Sequence, residues 1–122
     1  MQVTPIDERD SSWEDHRPRF RVYVFGGGGE PGGSWAVDTF DVEDADVLEV
    51  TDWAEGQAGP DDLVAVALIG ELDPQADTET ARRGLVWLLG TDPNGTPSDA
   101  TVQRLLDGML ARRESRRAAG DR

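Results

Sequence analysis

Residues 63–70 read Leu-Val-Ala-Val-Ala-Leu-Ile-Gly, with no polar side chain anywhere in the run. A strand of this composition points apolar groups to both of its sides, and both sides must be kept from water. The run is far shorter than the roughly 20 residues that a membrane-spanning helix needs. It therefore predicts a strand buried on both faces, and this requirement constrains everything around it.

The flanking segments supply the rest of an α+β fold. Residues 19–26 alternate Phe20, Val22 and Val24 with Arg19, Arg21, Tyr23 and Phe25, the period of two expected of a strand. Residues 34–42 are rich in β-branched and aromatic groups and predict a second strand. The period then changes: Val47, Val50, Ala54 and Ala58 follow helical spacing over about 45–57, with Asp44 as N-cap and Gly59-Pro60 as the stop. Residues 84–90, Gly-Leu-Val-Trp-Leu-Leu-Gly, fit either a helix begun near Asp77 or Thr78 or a short strand. Their length and flanking glycines favour the strand, leaving 71–83 as a loop or short helical turn. Asp92-Pro93-Asn94-Gly95 and Pro97 form a turn. Ser98 caps a last helix with Val102, Leu105, Leu106, Met109 and Leu110 on one stripe.

The order is ββαββα, a four-stranded, mainly antiparallel sheet with two helices. Residues 44–52 and 99–107 share Asp, Ala, Val and a final Asp in register, which allows a duplicated ββα unit. Residues 1–18 form a flexible N-terminal arm and 19–111 a single domain. Residues 112–122 are an arginine-rich tail that continues the last helix, where positive charge suits the macrodipole.

Two helices can both lie on one face of such a sheet. The other face would then expose one rank of the third strand (Leu63, Ala65, Ala67, Ile69 or Val64, Val66, Leu68). The fourth strand would add Leu85, Trp87 and Leu89, or Val86 and Leu88. Tyr23, Phe25, Trp35 and Val37 would join if their register points them outward. The expectation is a homodimer that packs sheet on sheet through this face. Cover by Ile6 and Trp13 of the arm, or helices split between the faces, are the other solutions.

Charge narrows the function classes. The chain has 122 residues and a formal net charge of −13, and all 12 of its basic residues are arginine. Nine Asp and five Glu lie from Asp38 to Glu79, and no basic residue occurs between Arg21 and Arg82. From Thr80 onward eight Arg face five acids. Nucleic-acid binding by the main domain is disfavoured, because phosphate contacts need positive charge. With no cysteine, disulfides, thiolate metal sites and cysteine nucleophiles are excluded. The polar N-terminus lacks the apolar core of a signal peptide, so a cytoplasmic location is expected, with no membrane association.

Motifs for catalysis are weak. Gly27 to Gly32 match G-x-G-x-x-G, but Pro31 interrupts the loop and a strand pattern follows where a dinucleotide site needs a helix. With no lysine in the chain, a Walker loop is also excluded. The glycines read as a hairpin turn. Asp41, Glu43, Asp44 and Asp46 offer hard oxygens without a calcium-loop pattern, and solitary His16 lies in the arm. Catalytic residues, cofactors and metals are therefore assigned as none.

The most specific local pattern is in the first helix. Asp46, Glu49 and Asp52 form a row three residues apart, and Trp53 lies off the centre of the apolar face. An aromatic anchor ringed by acids suits one side of a protein interface. The leading expectation is a small acidic interaction module, such as an inhibitor, antitoxin, immunity or adaptor protein that binds a basic partner surface. Its partner-binding residues are Asp46, Glu49, Asp52 and Trp53. The alternative is a small-molecule-binding or enzymatic domain with a pocket on the aromatic sheet face around Trp35 and Trp87.

Overall fold

A computed structural model describes residues 1–11, 14, 16–28, 33–71, 83–95 and 99–120. The strands are β1 (Arg19–Gly26), β2 (Ala36–Val42), β3 (Leu63–Glu71) and β4 (Arg83–Leu89), and the helices α1 (Val47–Gln57) and α2 (Ala100–Gly120). All neighbours in the four-stranded sheet, ordered β2-β1-β3-β4, are antiparallel. The ββαββα order expected from the sequence is present, and residues 84–89 are strand, not helix. Of residues 71–83, expected as a loop or short helical turn, Glu71 and Arg83 belong to β3 and β4, and 72–82 lie outside the described residues.

Alternation along β1 and β3 divides the core in two. Phe20, Val22, Val24, Val64 and Val66 turn to one face and pack with Val50 and Ala54 of α1. Phe25, Leu63 and Ala65 turn to the other and pack with Met109, Leu106 and Leu110 of α2. The helices therefore lie on opposite faces, which corrects the expectation that both cover one. Residues 63–67 are buried without exception because each side of the strand meets a helix. The apolar surplus that argued for a sheet-face dimer is thereby largely covered within one chain. Ile6 of the arm takes no part in this cover and is 75% exposed. Trp13 lies outside the described residues.

A register shift between Val66 and Ala67 changes the outer strand. Trp87 stands opposite Ala67 and Leu89 opposite Val66, so two positions of β4 match one step of β3. Leu89 accordingly packs on the α1 side, not with Leu85 and Trp87 as simple alternation predicts.

The start of α1 also moves from its expected position. Asp44 has φ of 56° and belongs to the turn before α1. The N-cap is Asp46, whose carboxylate accepts from the Glu49 N–H at 2.8 Å. Glu49 Oε1 in turn accepts from the Asp46 N–H at 3.0 Å, completing a capping box. At α2, Asp99 Oδ1 accepts from the Val102 N–H at 2.9 Å. Ser98 lies outside the described residues.

The glycine-rich segment connects two strands that pair up to Gly26 and Ala36, so it is a hairpin connection. Gly27 has φ of 75°, and a Cβ on Gly28 would stand 2.2 Å from the Trp35 indole. Residues 29–32 lie outside the described residues. Asn94 fastens the base of this hairpin to the β4–α2 loop. Its Oδ1 accepts from the Trp35 N–H at 2.7 Å and its Nδ2 donates to the Trp35 carbonyl at 3.0 Å. Among the described residues, no helix is long and apolar enough to cross a membrane.

Candidate interaction surface

The row Asp46, Glu49, Asp52 does not behave as one unit. Asp46 and Glu49 face each other's backbone in the capping box, so their carboxylates first serve to hold the helix end. Both also line a groove of about 460 Å³ with His16, Arg17 and Pro18 of the arm and with Asp44. Asp52, one turn further along, makes no hydrogen bond or ion pair with the described residues and is exposed.

Trp53 has a partner that the helix pattern alone does not reveal. Its ring meets Phe40 of β2 edge-on, with centroids 5.2 Å apart and planes at 84°. Phe40 stands opposite Val22, and Asp38 opposite Val24, so both project to the α1 face. Trp53 and Phe40 remain 39% and 37% exposed as whole residues. An edge-to-face pair of this kind adds about 0.5–1.5 kcal/mol beyond area burial, yet leaves a large apolar surface in water. Asp38, like Asp52, has no hydrogen-bonding or ionic partner among the described residues. The surface thus combines two aromatic rings with Asp38 of β2 and with Glu49 and Asp52 of α1.

Arg17 lines the groove with Asp46 and Glu49, and other arginines lie on the far face of the sheet and on α2. Arg19, Arg21 and Arg83 share the face of Tyr23 and Trp87, the α2 side of the sheet. Arg21 holds Asp41 at 2.8 Å across the hairpin, and this hydrogen bond lowers the Asp41 pKa despite partial desolvation. Further arginines sit on α2 itself. Arg116 pairs with Glu55 of α1 at 2.5 Å and donates to the Asp62 carbonyl. Arg117 donates to the Pro60 carbonyl at 3.0 Å and pairs with Asp61 at 2.6 Å. Burial pushes the Arg112 guanidinium below its usual pKa, with Glu55 acting in the opposite direction. These arginines tie α2 to the α1–β3 loop, whereas α1 contains no basic residue.

The aromatic groups of the α2 face are packing groups. Trp35, Trp87 and Tyr23 lie against the cluster of Phe25, Leu63, Ala65 and Met109, with Tyr23 and Trp87 centroids 5.1 Å apart. Among the described residues, no three acidic or histidine side chains converge as metal ligands would. No family model, curated protein or solved structure matches the chain.

Proposed function

We propose that the protein is a small acidic interaction module whose α1 face docks on a basic protein surface. The observation that carries this reading is the exposed Trp53–Phe40 pair beside Asp38 and Asp52, two carboxylates without a hydrogen-bonding or ionic partner among the described residues. Burying the two rings supplies area, and Asp38, Asp52 and Glu49 set charge complementarity. Asp46 contributes through the helix cap that orients this face. An inhibitor, antitoxin, immunity or adaptor role fits such a surface, since each acts by occupying a partner and needs no catalytic group.

Matched baits test the reading: the wild-type chain and the Asp52→Arg/Trp53→Ala variant, both immobilised and offered an extract of the native host. A protein with a basic surface should be retained by the first and lost from the second. Its association with the wild type should slow by an order of magnitude or so as salt rises. Equal retention on both baits, or affinity indifferent to salt, would refute the proposal.

A further inference from the structure

Beside the aromatic pair runs the outer edge of the sheet. β2 pairs with β1 alone among the described residues, and every residue from Ala36 to Asp41 is exposed. On the side of β2 turned away from β1, the backbone donors and acceptors have no partner among the described residues, the arrangement to which an extended peptide adds as a further strand. Building on the docking reading above, we propose that β2 accepts an extended basic segment of the partner as a fifth strand.

The chemistry of the two faces specifies the segment. Side chains of an added strand alternate between faces. Those on the α1 face pass Asp38 and then the rings of Phe40 and Trp53. Arginine or lysine suits this rank, with its charge near Asp38 and its stem or guanidinium against the rings. Those on the opposite face pass Val37, Thr39 and Asp41. Val37 is 48% exposed, and Asp41 is already held by Arg21 with Arg19 and Arg83 nearby, so this rank favours apolar or hydroxyl side chains. The inferred ligand alternates cations with valine- or threonine-like residues. The same acids discriminate against a second copy of the chain, since pairing β2 with another β2 would set Asp38 and Asp41 among like charges.

Two synthetic probes of equal charge separate strand addition from simple acidic docking. One alternates arginine with valine and threonine, and the other carries the same arginines on an alanine-rich helix. With the full wild-type chain, calorimetric titration at low salt should give about tenfold tighter binding of the extended probe. Hydrogen exchange should show new protection at alternate amides of 36–42. Equal affinities with unchanged exchange in β2 would overturn strand addition and leave the acidic docking surface standing. Failure of both probes to bind would overturn both.

Discussion

Asp41 and Asp46 show how differently acids that are neighbours in the chain are used. Asp46 belongs to a capping box and Asp41 to a cross-strand ion pair, although both come from the same acidic stretch. The Arg21 hydrogen bond holds Asp41 below its ordinary pKa of 3.8. A carboxylate depressed in the folded state stabilises fully above its unfolded value, and the contribution disappears as pH falls through the folded one. The pair is partly exposed, at 25% for Arg21 and 56% for Asp41, so solvent screening keeps its worth to about 0.2–1 kcal/mol. Asp41→Asn should therefore lower stability by that amount at pH 7, and the difference should shrink towards zero well below pH 3.8. Urea denaturation of both chains at the two pH values checks this, and a difference that grows on acidification would contradict the assignment.

At the scale of elements, the last turns of α2 act as a structural strap. Arg116 is only 14% exposed and Glu55 25%, so cutting this pair strands a partly buried carboxylate. A chain ended after Ala111 should lose about 2–4 kcal/mol, and Arg116→Leu a substantial part of that. Urea midpoints equal to the wild type would show the strap to be idle. Helical spacing made α1 and α2 legible and alternation β1, while β2, β3 and β4 were legible from residue type, an unbroken apolar run, and length with flanking glycines. The cap of α1 was misplaced by two residues, since Asp44 and Asp46 offer the same chemistry and only backbone conformation separates them. The shift at Leu88–Leu89 has no compositional mark in a run that is apolar throughout. Trp53 was legible from its helical angle, but Phe40 and Asp38 join it only through the β1–β2 register and the helix placement. The docking of Arg116 and Arg117 on residues 60–62 was equally non-local.

For the whole molecule, the decisive feature is which side of the sheet each helix takes. Sequence alternation shows that β3 has two apolar faces, but not which element covers each. With α1 and α2 on opposite faces, the apolar surplus that favours a sheet-on-sheet dimer is largely covered. Sedimentation at micromolar concentration should give a monomer, and a dimer that survives deletion of residues 1–18 would restore sheet-face pairing. The same arrangement sorts charge across a single layer of strands. Asp38, Glu49 and Asp52 stand on the α1 side, and Arg19, Arg21 and Arg83 on the other. This sorting gives the molecule's electric moment a component along the sheet normal. Near a cationic surface that moment produces a torque, turning Trp53 and Phe40 forward before any atoms touch. The rotational search that holds protein association to about 10⁵–10⁷ M⁻¹s⁻¹ is shortened accordingly.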